Sequence, residues 1–265
     1  MVEINGTEAA ARVADVLLLF TDGPQSLGVS AIARRLGLSK AVIHRILQTL
    51  VDRGLLINDP ATRGYRLGAA AAALGARALR DSRLRAVAMP VLRELQRATG
   101  ETTTVSALVP GGRVYLDQVE STREIKMTVE VGRRFRLHAG SSSTCILAFL
   151  PPPEQEAVLA GELDALTCRT VTDPNRLRAR LAEIRRLGYA HSDGERQDGA
   201  GSVAAPVLGF DGSVLGAVSV CGPGSRVDQA ARERFVPLLR QAADEISRGM
   251  GWHGGLPGEA GQESA

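Results

Sequence analysis

From Ala9 to Phe20 the apolar residues Val13, Val16, Leu17 and Phe20 recur at helical spacing, and Thr21-Asp22-Gly23-Pro24 closes that segment with turn residues. A second, short helix is expected from about Ser30 to Leu36, with Ile32, Ala33 and Leu36 turned inward and Gly37 supplying the tight turn behind it. Ser39 then caps a third helix that reaches about Arg53 and is closed by Gly54. Leu55-Leu56-Ile57 and Tyr65-Arg66-Leu67 flank the polar run from Asn58 to Gly64, the pattern of a β-hairpin. Helices and hairpin in this order predict a winged helix-turn-helix over residues 8–67.

Residues 68–99 are expected to form a helical linker, alanine-rich from Ala69 to Leu79 and then carrying Leu84, Val87, Val91, Leu92 and Leu95 on one stripe, with Pro90 as a kink. From Thr102 the period falls to that of strands: Thr102–Val109 and Arg113–Val119 flank Pro110-Gly111-Gly112, and Ile125–Val131 is a third candidate. Helices are expected at 143–150, 154–160 and 175–187. A hairpin of Ser202–Leu208 and Val214–Cys221 follows, then a last helix around Asp228–Arg248. The chain therefore reads as α+β, with a sheet domain at 100–248 and a Gly-rich stretch, 249–265, expected to be disordered.

At 265 residues the chain has room for two domains, each with its own core. No apolar run reaches the length of a bilayer span, and MVEINGTEAA lacks a basic-then-apolar leader, so a cytoplasmic protein without membrane contact is expected. Cys145, Cys168 and Cys221 are far apart and lack metal-ligand spacing, which predicts reduced thiols and neither metal nor cofactor. The net charge of +3 is unevenly spread: residues 1–100 hold 14 Lys+Arg against 8 Asp+Glu, the remainder 18 against 21. The basic end coincides with the winged helix.

The third helix sorts into faces. Ile43, Ile46, Leu47 and Leu50 form a buried stripe, while Lys40, Ala41, His44, Arg45 and Gln48 crowd the N-terminal half of the other side. In helix-turn-helix docking that half enters the major groove, and Arg, Lys and Gln match base edges. These five are the candidate base readers. Arg63 at the wing tip is placed to reach a minor groove or phosphates, and Arg34 and Arg35 to hold the backbone. A solvated polar face explains this helix alone equally well; the turn and wing around it favour double-stranded DNA.

In the run His138 to Cys145, the hydroxyls of Ser141, Ser142, Ser143 and Thr144 precede the apolar Ile146-Leu147-Ala148-Phe149-Leu150. They fall at a predicted helix start, where unpaired N–H groups and the positive dipole end favour an anion. Alternation puts Ala217, Ser219 and Cys221 on one strand face and the valines on the other; Ser202, Ala204 and Pro206 share a face likewise. Small residues leave room there, as a pocket wall does. Helix caps and small core residues are the plain alternative. No Lys or Arg is among these candidates, so an acid would be held by hydroxyls and amides.

The run Ala31-Ile32-Ala33-Arg34-Arg35-Leu36-Gly37-Leu38-Ser39 through Leu50, with the later Gly188-Tyr189-Ala190, Gly194-Glu195-Arg196, Gly199–Val207 and Gly216–Pro223, resembles the IclR family of bacterial transcriptional regulators over about residues 8–248. The resemblance implies a winged helix, a dimerising helical linker and a GAF-like effector domain. It implies a homodimer or tetramer on a pseudo-palindromic operator, tuned by a small metabolite, often an organic or aromatic acid. Its effector contacts map to Ser141, Ser142, Ser192, Ser202, Ser219 and Cys221. Arg196 and Glu195 read as a structural ion pair or loop anchor. One departure is that Ala41 and Val42 stand where the family usually has hydroxyl residues.

Two other function classes stand beside this one. The chain lacks G-x-S-x-G, H-E-x-x-H and G-x-x-x-x-G-K-[ST], leaving only a Ser141 pair with His138 or His191 to suggest an enzyme. The remaining alternative is a ligand-sensing module acting through protein partners.

Overall fold

The computed structural model describes residues 7–255, which divide into two compact units between Asp81 and Ser82. The first unit holds α1 (Glu8–Leu18), a 3-10 turn (Leu19–Thr21), α2 (Val29–Leu36), α3 (Lys40–Asp52), the hairpin β1 (Leu56–Asp59) and β2 (Gly64–Leu67), and α4 (Ala69–Asp81). Its core is Val16, Leu27, Ile32, Ala33, Ile43, Leu47, Leu50 and Leu56, so the inward positions of three helices and the wing meet in one cluster. Gly37 ends α2 at φ 65°, a left-handed value that favours glycine, and Ser39 Oγ accepts from the Val42 N–H at 3.3 Å to start α3. Leu27 adds a bridge to Tyr65 at the edge of the wing.

The second unit is a six-stranded antiparallel sheet in the order β5-β4-β3-β8-β7-β6. Its strands are β3 (Thr102–Val109), β4 (Gly112–Val119), β5 (Arg134–Phe135), β6 (Ala190–Asp193), β7 (Ala200–Leu208) and β8 (Val214–Pro223). Around them lie α5 (Arg83–Thr99), α6 (Ser141–Phe149), α7 (Pro152–Leu159), α8 (Pro174–Leu187) and α9 (Gln229–Gly249). Helices α5 and α9 pack on the sheet, and so does α6. Two adjacent threonines show that these helices take opposite faces: Thr103 Oγ1 donates to Leu92 O of α5, and Thr104 Oγ1 shares a 2.7 Å hydrogen bond with Ser219. The α6 face is therefore the one with the small polar residues.

Four expectations need correction. The 68–99 segment is two helices, because Ser82 leaves the helical conformation and its Oγ caps α5 at Arg85 N. Ile125–Val131 is not a strand: the Gln118 side chain binds both the N–H and the carbonyl of Val129, at 2.8 and 3.0 Å, and Thr102 Oγ1 donates to Met127 O at 2.6 Å. Side chains thus satisfy backbone groups that a neighbouring strand would otherwise take. The short β6 was not anticipated, since four residues carry too little period to register. Finally, the chain from Gly249 to Gly255 is ordered, not a disordered tail. The Trp252 N–H donates to Ser247 O at 2.9 Å and its side chain packs on the core, close enough to Gly212 that a Cβ there would lie 3.0 Å from the ring. Residues 256–265 lie outside the described chain.

Candidate functional site

On the first unit, Lys40, Ala41, His44, Arg45 and Gln48 are all exposed on α3, above the buried Ile43, Leu47 and Leu50. Arg34 and Arg35 are exposed in the last turn of α2. Among the described residues Lys40, Arg45 and Arg63 enter no ion pair, which leaves their charge available to phosphate or base. Gln48 Nε2 donates to Asp52 Oδ1 at 3.0 Å, a bond it must exchange to read a base. The wing tip is shaped by Asp59, whose carboxylate accepts from Ala61 N at 3.1 Å and Thr62 Oγ1 at 2.8 Å. These bonds hold the Asp59 carboxyl below the usual carboxylate range. Arg63, at φ 53°, is the only described non-glycine residue in the left-handed region. A strained, exposed arginine at a loop tip is where a functional constraint is expected.

On the second unit, Ser141, Ser142, Ser192, Ser202, Ser219 and Cys221 all line one small cavity beside the start of α6. Gly140, at φ 87°, turns the chain into the helix, and Ser141 Oγ donates to Ser202 Oγ at 2.7 Å. Ser143 and Thr144 point away from that role: Thr144 Oγ1 donates back to Gly140 O at 3.0 Å, and Ser143 Oγ accepts from Arg113 Nε at 2.8 Å. The cavity measures about 30 Å³, room for a water or two. Met127, Thr128 and Val129, in the stretch held by Gln118 and Thr102, form part of its wall. A wider, largely apolar groove of about 770 Å³ lies under the β3–β4 turn against Leu150, Val158 and Leu163; none of the six effector candidates reaches it.

The cavity also holds two residues that sequence reasoning did not assign to it, Arg113 and Arg196. Arg113 is 1 % exposed. Its Nη2 donates to Tyr115 Oη at 3.1 Å, and its guanidinium lies 4.3 Å from the Tyr115 ring centre and 5.0 Å from that of Phe135. Burial lowers its pKa from the ordinary arginine value, with the nearby Arg196 adding to the effect. Arg196 lies 4.8 Å from the centre of the same Phe135 ring and lines the cavity instead of pairing with Glu195. Glu195 belongs to Arg180, at 2.6 Å. Alternation on β4 is the signal that was available for Arg113: it shares a face with Tyr115.

Ser141 and His138 are each engaged with other partners. Ser141 bonds Ser202, and His138 Nε2 donates to Asp164 O at 2.9 Å. Burial pushes the Cys221 thiol up to about 12, so it enters the cavity wall as a neutral group, not a nucleophile. Among the described residues no cluster suits a metal ion, and no helix is long and apolar enough to cross a membrane.

The IclR helix-turn-helix domain model matches residues 9–60, and the bacterial transcriptional regulator IclR C-terminal model matches residues 76–248. The HTH-type transcriptional regulator BhcR of Paracoccus denitrificans is 33% identical over 92% of this chain and 88% of its own length. A crystal structure of an IclR transcriptional regulator from Silicibacter sp. TM1040 has a TM-score of 0.81 at 33% identity, covering 92% of this chain and 96% of that one. An IclR homologue from Microbacterium hydrocarbonoxydans, solved in complex with 4-hydroxybenzoate, has a TM-score of 0.70 at 32% identity, with 92% and 99% covered. With both units matched in order, the chain belongs to the IclR family of bacterial transcriptional regulators, a family of DNA-binding proteins and not of enzymes.

Proposed function

We propose that this chain is a cytoplasmic, homodimeric or tetrameric regulator that binds a pseudo-palindromic operator, its affinity set by a small organic or aromatic acid held beside α6. The observation that carries the reading is the convergence of all six hydroxyl and thiol candidates on one cavity at a helix N-terminus. The 4-hydroxybenzoate complex of the Microbacterium homologue supports an acid as the class of effector. A cavity of about 30 Å³ is too small for such a ligand, so the cavity must widen when it binds.

In this reading Lys40, Ala41, His44, Arg45 and Gln48 read bases, while Arg34, Arg35 and Arg63 hold the backbone. One recognition helix contacts too few base pairs for specificity in a genome, hence the two-fold operator and dimer. The pairing surface is α4: none of its residues is buried in the chain, and Leu74 is 65% exposed. Leu74→Glu is expected to shift the chain to monomer by light scattering and to weaken operator binding by orders of magnitude.

The test of DNA binding itself is a gel shift with the chain's own upstream DNA at two salt concentrations. Salt cations compete for every phosphate that the protein neutralises, so affinity should drop by about a thousandfold or more between roughly 50 and 200 mM salt. A salt-independent shift, or binding only in the presence of a second protein, favours the protein-partner reading instead.

A further inference from the structure

The cavity carries positive charge with nothing acidic in its lining. Arg113 and Arg196 are there, and no Asp or Glu is. Two carboxylates close by, Glu101 and Glu195, are engaged elsewhere. Glu101 is clasped by Arg226 at 2.6 and 2.9 Å and lies 3.6 Å from Arg123. Glu195 is held by Arg180, and its other oxygen is 3.5 Å from Gly140 N. Arg113 is a cation at any physiological pH, whatever its burial. Its Nε and Nη2 donate to Ser143 and Tyr115, both neutral, and its Nη1 has no hydrogen-bond partner among the described residues. A guanidinium that is 1 % exposed, set beside two aromatic rings, and missing among the described residues both a counter-ion and a partner for one nitrogen is costly unless something supplies them.

We infer that Arg113 is the anchor of the effector's carboxylate, received on Nη1 beside the first turn of α6. This rests on the acid-effector reading above and adds the residue that makes the acid obligatory. Ser143 is the third residue of α6, so its bond to Arg113 Nε fixes the guanidinium next to the helix N-terminus. A carboxylate there gains the arginine charge, the Nη1 protons and the helix dipole together. A neutral carbonyl satisfies the protons but leaves the buried charge uncompensated. Serines alone select no charge; Arg113 does.

Acetate is the probe, since it is little more than the group itself, with acetamide as its neutral counterpart. Thermal melts of the full chain, without DNA, compare 100 mM sodium acetate with 100 mM sodium chloride, with and without added acetamide. Acetate should raise the melting temperature by about 2–4 °C over chloride, and acetamide should add nothing. Arg113→Gln should erase the acetate difference and Arg113→Lys should keep part of it, which separates binding from the general effect of the salt. If Arg113→Gln fails to fold, the Nε–H resonance of Arg113 in the unmodified chain gives the same answer by shifting and saturating with acetate. An acetate effect absent from the unmodified chain, undiminished in Arg113→Gln, or matched by acetamide overturns the inference. No DNA enters this measurement, so it can succeed while acid-dependent operator binding fails, and the reverse.

Discussion

Val203→Asp is expected to destabilise the folded sheet severely, and the neighbouring Ser202→Leu to keep the sheet and lose the ligand. Both residues are on β7, on opposite faces. Val203 is 0 % exposed and paired with Val220 and His191 in the middle of the sheet, so a carboxylate there is buried without a partner. That costs about 3–5 kcal/mol, against a total stability of roughly 5–15 kcal/mol for a domain. Ser202 is only partly buried and faces the cavity, where it accepts from Ser141. Leucine there overfills a small space at about 1–3 kcal/mol and occupies the position of the effector. Ser219 is a poorer choice for this comparison: it is 2 % exposed and bonded to Thr104, so bulk there would damage packing and pocket together. Circular dichroism melts of both variants, with and without a catabolic acid that stabilises the parent chain, read the difference. Equal unfolding by the two would make Ser202 part of the core and the serine run no more than a helix start.

Arg45→Ala should cost about 1–3 kcal/mol on the operator, roughly 5- to 150-fold in affinity, and relax preference at particular base pairs. Arg45 is exposed, makes no ion pair among the described residues, and lies in the second turn of α3, whose start Ser39 caps. Arg63→Ala should instead weaken specific and random DNA by similar factors, because a wing-tip arginine meets phosphates or a degenerate minor groove. Titrations of each variant against operator and scrambled duplexes at one salt concentration distinguish the two roles. Equal losses on both duplexes for Arg45→Ala would remove it from the base readers.

The winged helix was legible because each of its signals is local. Gly37 and Ser39 mark the turn, and the apolar stripe of α3 needs only its own residues. The serine candidates were legible by a different route: a helix start and strand alternation are local too, and the topology then brings them together, as the Ser141–Ser202 bond does across 61 positions. Arg113 was legible only in part: alternation puts it on the same face of β4 as Tyr115 but does not say which face turns inward. A polar residue near the start of a strand reads as solvent-facing, and only the sheet order, with β4 beside β3 and α6 above, turns it inward. The stretch at 125–131 misled because its apolar residues fit a strand, while Gln118 and Thr102 supply from their side chains what a neighbouring strand would. Trp252 misled because glycines around it suggested disorder, although one large ring suffices to hold the segment to the core.

Coupling between ligand and operator through this one chain is tested most directly by an operator titration, read by fluorescence anisotropy, with and without a stabilising acid. A coupling of about 1–3 kcal/mol predicts a 5- to 150-fold change in operator affinity, and the same factor in the acid's affinity when operator is present. An acid that stabilises the protein through the Ser141–Ser202 cavity and yet leaves the operator affinity unchanged would contradict the account.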